Sequence, residues 1–259
     1  MPSHNIYLVG HRGARREAPE NTLAGFSHLR SLDIHFVELD VHLSRDHELI
    51  CIHDATLKRT TGKKGSIKQF LHSDLRQIPA NREWPKWSEG DIKIPLLKDI
   101  LSEWPAIEHI QIEVKPPKRY FCSLIAKKLQ EIIDQYQLHH KAVITSQSHY
   151  FLKMSKAMMN PTIHHGWVVQ HRFPLLLTLA KKAGFSYLIA NHKMLDDAFI
   201  QECHAMNLKI SAWTVNDIES AQKLIDMGVD SIITDYPSEF KTHFNKKFSN
   251  ICSRPLKTV

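Results

Sequence analysis

Short β-branched runs alternate with amphipathic segments of helical length along most of the chain. Nine runs of this kind begin at Ile6, Phe36, Leu49, Ile110, Ala142, Gly166, Tyr187, Ile210 and Ser231. Strands that alternate with helices predict an α/β fold with a parallel sheet. A (β/α)8 barrel needs eight strands and about 250 residues, so the 259 residues here suit one barrel with one strand to spare.

The spare strand is the third run, since only residues 42–48 separate it from the second. A parallel crossover needs a dozen or more residues, so residues 49–53 should fold back antiparallel on the second strand. That hairpin returns His53 to the level of Glu38 and Asp40. We therefore predict a TIM (β/α)8 barrel over residues 1–240 with a hairpin extension after strand 2. A basic tail follows at residues 241–259.

Composition narrows the class of protein. The net charge of the chain is +7. Its four cysteines have no C-x-x-C spacing, which favours reduced thiols and a cytoplasmic location. We expect no secretion signal and no stable membrane insertion, because no apolar run approaches the ~20 residues that span a bilayer. No familiar nucleic-acid motif is visible, and a basic protein suits an anionic small-molecule substrate. The oligomeric state is left open.

Three carboxylates and a lysine lie on two predicted strands. Glu38 and Asp40 are two residues apart and point to the same face, and Glu113 and Lys115 repeat this arrangement on the next barrel strand. Carboxylates crowded on an inward face need a cation. We predict that Glu38, Asp40 and Glu113 hold a hard divalent ion, Mg²⁺ or Ca²⁺, with Mn²⁺ as a further option. A buried ion-pair network is the alternative.

Two histidines stand out by position among the 18 in the chain. His11 ends the first strand, where barrel enzymes keep catalytic groups, and His53 returns by the hairpin. Such a pair can divide phosphodiester cleavage between a base that activates the nucleophile and an acid that protonates the leaving alkoxide. The spacing leaves both assignments open, and we favour His11 as base and His53 as acid.

Two cations are candidates for phosphate binding. Arg12 follows His11 on the turn after the first strand, where a guanidinium can bind two phosphate oxygens. A salt bridge to Glu17 or Glu20 is the alternative for Arg12. Lys115 is the second candidate, since it shares a strand face with the carboxylate at position 113.

Trp213 and Asp235 have two interpretations each, and Asn21 has one. Trp213 ends a strand, and its aromatic face can pack against the carbons or a cationic group of a substrate, or else lie in the core. Asn21 is expected to be a helix N-cap. Asp235, after the last strand, can cap the next turn or reach the site.

The order of these blocks resembles the glycerophosphodiester phosphodiesterase family over most of the chain. The matching blocks are His11-Arg12-Gly13, Pro19-Glu20-Asn21-Thr22, Glu38-Leu39-Asp40-Val41, His53-Asp54, Glu113-Val114-Lys115, Trp213-Thr214-Val215-Asn216 and Thr234-Asp235. The resemblance implies a TIM barrel with an acid–base histidine pair, a divalent ion on the carboxylates and two phosphate-binding cations. The implied reaction releases sn-glycerol 3-phosphate and an alcohol from deacylated phospholipids, as in the cytosolic bacterial branch, within lipid and glycerol metabolism.

Some positions depart from the family pattern. Asp33 and His35 replace the usual glycine and acidic residue, His47 replaces a glycine, and Gln147 replaces a phenylalanine. These departures leave the preferred head group open. Two alternatives share the barrel: a phospholipase D or sphingomyelinase D type of enzyme that acts on acylated lipids, and a non-catalytic barrel that binds anions.

Overall fold

The strands form one sheet in a computed structural model that describes residues 6–88 and 90–248, with side chains up to residue 244. The strands are β1 Tyr7–His11, β2 Phe36–Leu43, β3 Leu49–Cys51, β4 His109–Val114, β5 Ala142–Ser146, β6 His164–Val169, β7 Tyr187–Asn191, β8 Lys209–Trp213 and β9 Ser231–Thr234. The helices are α1 Leu23–Ser31, α2 Lys58–Thr61, α3 His72–Leu75, α4 Leu97–Glu103, α5 Cys122–Gln135, α6 His149–Met158, α7 Leu176–Lys182, α8 Asp197–Ala205, α9 Ile218–Met227 and α10 Pro237–Phe248.

Eight of these strands run parallel and close into a barrel. β1 pairs with both β2 and β9, and the remaining strands fill the circle in the order β9, β8, β7, β6, β5, β4, β2. β3 pairs antiparallel with β2, with Val41 opposite Cys51. The predicted TIM barrel and its hairpin extension are confirmed.

Two apolar cores position the residues of the candidate site. The larger core packs the outward faces of the barrel strands against the helices, and on β2 it buries Val37, Leu39 and Val41. That burial leaves Glu38 and Asp40 on the inward face. The insertion between β3 and α4 builds its own smaller core, which includes Ile52, Leu57, Ile67, Leu75 and Ile94. This smaller core holds the segment after β3 against the mouth of the barrel.

The end of the chain departs from the predicted boundary. α10 runs across position 240 to Phe248, so the first part of the predicted tail is helical. Residues 249–259 lie outside the described residues, and the division into barrel and tail stays a prediction. Among the helices that the structure describes, none combines the length and apolar character needed to cross a bilayer.

Candidate active site

Strand register brings three carboxylates together inside the barrel. His11 lies beside Glu38 where β1 pairs with β2, and Asp40 lies beside Glu113 where β2 pairs with β4. Glu38, Asp40 and Glu113 each offer a carboxylate oxygen, and these oxygens all lie within 4.8 Å of one another. The spacing in the sequence predicted this cluster, and the register of the parallel strands produces it.

Two cations balance part of the negative charge. Lys115 Nζ lies 2.6 Å from Asp40 Oδ1 and 2.8 Å from Glu113 Oε2, while Arg12 Nε lies 3.1 Å from Asp40 Oδ2. Burial alone would raise the pKa of Asp40, but Arg12 and Lys115 hold it well below its usual range. Burial and the neighbouring carboxylates instead raise the pKa of Glu38 well above its usual range.

The remaining charge fits a divalent cation. Among the described residues, no donor hydrogen-bonds to the buried oxygen Glu113 Oε1, and Asp40 Oδ1 meets Lys115 without hydrogen-bond geometry. Burial also raises the pKa of Glu113, so its charged form lacks full compensation. Three converging carboxylate oxygens are ligands that Mg²⁺, Ca²⁺ and Mn²⁺ accept. Buried ion pairs are present as well, as the alternative predicted, and the divalent ion stays a prediction.

A strained turn points the backbone of Arg12 at the cluster. Arg12 has a backbone φ of 52°, which lies in a region that residues other than glycine rarely adopt. In this conformation its backbone N–H donates to Glu38 Oε2 at 3.1 Å, and its guanidinium Nη1 donates to Glu20 Oε1 at 3.0 Å. The alternative salt bridge to Glu20 is therefore present, and the contact to Glu17 is not among the ion pairs of Arg12 in the described residues.

His11 is oriented by a residue from the far end of the chain. Its Nδ1 lies 2.6 Å from Asp235 Oδ1, while its Nε2 lies 3.9 Å from Glu38 Oε2. Asn216 holds Asp235 in turn, because its Nδ2 donates to Asp235 Oδ2 at 2.8 Å. Burial lowers the pKa of His11, although Asp235 opposes this shift. Burial favours a neutral ring, and the contact with Asp235 places its proton on Nδ1, which leaves Nε2 facing the cavity.

His53 belongs to a second histidine–aspartate pair. Its Nδ1 lies 2.7 Å from Asp54 Oδ1, and burial lowers the pKa of His53. Arg59 donates to both oxygens of Asp54, at 3.0 and 3.1 Å, and to both oxygens of Glu20, at 2.7 Å each. Burial alone would raise the pKa of both carboxyls, but Arg59, together with Arg12 at Glu20 and His53 at Asp54, lowers each pKa to about 2. Arg59 thus ties the hairpin to the loop after β1.

A cavity of about 230 Å³ opens above the carboxylates at the carboxyl end of the barrel strands. It is lined by His11, Arg12, Glu38, His53, Glu113, Lys115, Thr145, Gln147, Val168, Gln170, Ile189, Trp213 and Ile233. Asp40 lies beneath this lining and is fully buried. The indole N–H of Trp213 donates to the carbonyl of Ile189 at 2.9 Å, so Trp213 forms a fixed wall of the cavity.

One expected helix cap is wrong. Thr22, not Asn21, caps α1, because its hydroxyl accepts from the backbone N–H of Gly25 at 3.1 Å. Asn21 adopts a φ of 53° and donates from Nδ2 to Asp40 Oδ2 at 2.9 Å. Its neighbour therefore replaces it as cap, and Asn21 supports a carboxylate of the cluster.

The structure also adds partners that sequence reasoning missed or left open. Asp235 reaches the site rather than only a turn, and its place after the last barrel strand was the signal. Asp54 could have been recognised from its position beside His53. Arg59 has no comparable signal, since it is one arginine in a polar segment.

A known protein family matches most of the chain. The model of the glycerophosphoryl diester phosphodiesterase family matches residues 11–239. The chain belongs to this family. YhdW of Bacillus subtilis, provisionally named a glycerophosphodiester phosphodiesterase, is 30% identical to this phosphodiesterase over 236 residues, covering 90% of this chain and 95% of that protein.

Two further proteins are similar to this phosphodiesterase over most of its length. A solved Oleispira antarctica phosphodiesterase in complex with the product sn-glycerol-3-phosphate is 25% identical, with a TM-score of 0.82 over 93% of this chain and 97% of that chain. Lysophospholipase D GDPD1 of Mus musculus is 22% identical over 273 residues, covering 92% of this chain and 85% of that protein. The predicted class, an enzyme that hydrolyses glycerophosphodiesters, is confirmed. The ion, the histidine roles and the cytoplasmic location stay predictions.

We expect Asp235→Asn to lower kcat of the phosphodiesterase by about 10²-fold or more, with a smaller change in KM. An amide in place of the carboxylate can stabilise the wrong His11 tautomer and cannot stabilise its charged form. Steady-state kinetics on glycerophosphocholine measure the effect. Asp217→Asn is the matched control, because Asp217 caps α9 at the same end of the barrel and asparagine caps equally well. Equal kcat values for the two variants would contradict a role for Asp235.

Proposed function

We propose that this phosphodiesterase releases sn-glycerol 3-phosphate from glycerophosphodiesters by using a divalent cation and two histidines. The observation that carries the proposal is a single cavity lined by two carboxylates of the cluster, two cations and both histidines. Each histidine carries its own aspartate partner. Charge stabilisation and two proton transfers are what cleavage of a phosphodiester requires.

The phosphate is bound above the three carboxylates in this proposal. Glu38, Asp40 and Glu113 would hold the divalent ion, which when bound supplies Lewis acidity toward a non-bridging phosphate oxygen. Lys115 and Arg12 line the cavity and place positive charge where the transition state gains negative charge. Their contacts with Asp40 fix both cations before substrate arrives, so little reorganisation is needed.

The two histidines move the protons. His11 would accept a proton at Nε2 from the nucleophile, either water or the neighbouring glycerol hydroxyl, because Asp235 holds its Nδ1. His53 would donate a proton to the oxygen of the departing alcohol, because Asp54 holds its Nδ1. Burial lowers the pKa of both rings. The anionic substrate opposes that shift and favours the protonated form that an acid needs.

Release of sn-glycerol 3-phosphate from glycerophosphocholine tests the function. The protein is assayed after EDTA treatment and then with Mg²⁺, Ca²⁺ or Mn²⁺ restored. We expect release only after an ion is restored. Full activity in EDTA would contradict the role of the carboxylates, and a folded protein that is inactive with every ion would contradict the substrate.

A second candidate substrate is an acylated phosphodiester such as a lysophospholipid. A second cavity of about 150 Å³ shares Lys115 with the first, and its lining includes Val41, Leu43, Pro116 and Phe121. An apolar cavity beside the phosphate site can take up part of an acyl chain. Comparing kcat/KM for lysophosphatidylcholine and glycerophosphocholine separates the candidates, and a preference of about tenfold or more for the acylated compound would favour the second.

A further inference from the structure

Exposed apolar side chains concentrate at the mouth of the active-site cavity. Six large apolar side chains of the described residues are exposed, and four of them belong to the loops or first helical turns after β4, β5 and β6. These four are Tyr120, Tyr150, Phe173 and Leu175, with exposed fractions of 67%, 48%, 42% and 68%. They are called the mouth rim below. Because parallel strands of a barrel end on one face, the mouth rim and the cavity share that face.

The mouth rim is continuous from one loop to the next. The guanidinium of Arg119, after β4, lies 4.7 Å from the ring centre of Tyr150, after β5. The loop after β5 meets β6 where the indole N–H of Trp167 donates to the carbonyl of Gln147. Phe173 then packs edge to face on Trp167, with ring centres 5.6 Å apart. The strands β4, β5 and β6 are neighbours in the sheet, so the four side chains form one band.

The backbone of Leu175 forms the N-cap position of α7, but its side chain belongs to none of the apolar clusters of the described residues. It has a φ of 66°, an unfavourable backbone region for a leucine, and its side chain is among the most exposed apolar groups. Strain of this kind persists mostly where function uses it. An exposed apolar band beside an active site is a common mark of an interaction surface.

Basic side chains flank the mouth rim. From residue 135 to residue 195 the sequence contains no aspartate or glutamate, and of its seven lysines and arginines Arg172 and Lys193 follow the carboxyl ends of β6 and β7, while Lys153 lies in the first half of α6. Lys118 and Arg119 lie over the rings of Tyr120 and Tyr150, and neither forms an ion pair with a carboxylate in the part of the chain that the structure describes. Arg172 is the exception, since it pairs with Asp196.

We propose that the mouth rim docks the phosphodiesterase on a phospholipid bilayer that carries anionic head groups. Apolar and aromatic side chains can enter the region between head groups and acyl chains, while the basic flank is attracted to the anionic surface. The bilayer then faces the open end of the cavity. The proposal rests on the proposed function in one respect, since it names a membrane as the place where phosphodiester substrates are met.

Co-sedimentation of the full-length protein with vesicles tests this surface. One set contains phosphatidylcholine with phosphatidylglycerol, and the other contains phosphatidylcholine alone. We expect stronger binding to the anionic set and weaker binding at high salt, because screening shortens the range of the attraction. The double variant Phe173→Ser and Leu175→Asn should lower the partition coefficient at least about tenfold. Asparagine tolerates the backbone conformation of Leu175, so the variant should remain folded.

Met158→Ser is the matched control. Met158 is an exposed apolar residue at 44%, but it ends α6 at the opposite side of the barrel from Tyr150. The control should bind vesicles as the parent protein does, and both proteins keep the same basic tail. All variants should hydrolyse dissolved glycerophosphocholine equally well, so a failure of the proposed reaction can be distinguished from a failure of vesicle binding.

Absent binding to anionic vesicles, or unchanged binding by the double variant, would overturn the proposal. Binding to heparin or RNA without vesicle binding would do the same.

Discussion

Replacing Glu38 with Gln is expected to lower kcat for glycerophosphocholine by about 10³-fold or more. The amide keeps the shape of the side chain but removes one of three converging carboxylates, and a metal in such a site supplies several kcal/mol of charge stabilisation. Glu38 also receives the backbone N–H of Arg12, which a glutamine oxygen can still accept. The loss should therefore come from the ion and not from the turn.

The same variant should separate metal binding from folding. In the parent protein, an ion at about a hundredfold excess over its Kd adds about 2.7 kcal/mol to the free energy of unfolding, or roughly 5 to 10 °C in Tm. Glu38→Gln should lose most of that increase. Without the ion, its Tm should equal or exceed that of the parent, because repulsion from Asp40 and Glu113 is relieved.

Glu48→Gln is a control for the Glu38 variant. Glu48 is half-buried and binds Lys128, away from the cluster. This variant should keep both activity and the rise in Tm with metal. A Glu38→Gln protein that still gains Tm with Mg²⁺ and keeps its turnover would show that the ion is bound elsewhere.

His53→Ala is expected to lower kcat for glycerophosphocholine by about 10²-fold or more, the usual scale for losing a general acid or base. The side chain lies at the wall of the cavity, and Asp54 fixes its Nδ1. Removing the imidazole leaves the departing alkoxide without a proton donor. Steady-state kinetics with metal present measure the loss, and near-normal turnover would refute the assignment.

A change of leaving group identifies which step His53 serves. A p-nitrophenyl ester of glycerol phosphate departs as a stable anion and needs little protonation, so His53→Ala should lose far less activity with it. His11→Ala is the comparison, because loss of the base should reduce turnover about equally with both substrates. If His11→Ala is the variant that the activated ester rescues, the two roles are exchanged.

The alternation of strands and helices was enough to determine the barrel. Strand periodicity placed Glu38 and Asp40 on one face, and the short connection at 42–48 predicted the antiparallel return that carries His53. These features are local, since each depends on residues within one or two elements. These local sequence features therefore predicted most of the charged and histidine side chains that line the cavity. Asp40, which they also predicted, lies just beneath the lining of the cavity.

Only the tertiary structure decided which hydrogen-bond and ion-pair partners hold those groups. Asp235 lies 224 positions from His11 in the chain, and Arg59 lies 39 positions from Glu20. Contacts at such distances exist because the barrel closes β9 against β1 and the insertion packs its own core. Asn21 shows the same limit, since its preference for caps was outweighed by a buried carboxylate that the sequence could not place beside it. The sequence by itself determined which side chains are candidates for the reaction, and closure of the barrel decided how each is held, because hydrogen bonds between distant segments form only once the chain is folded.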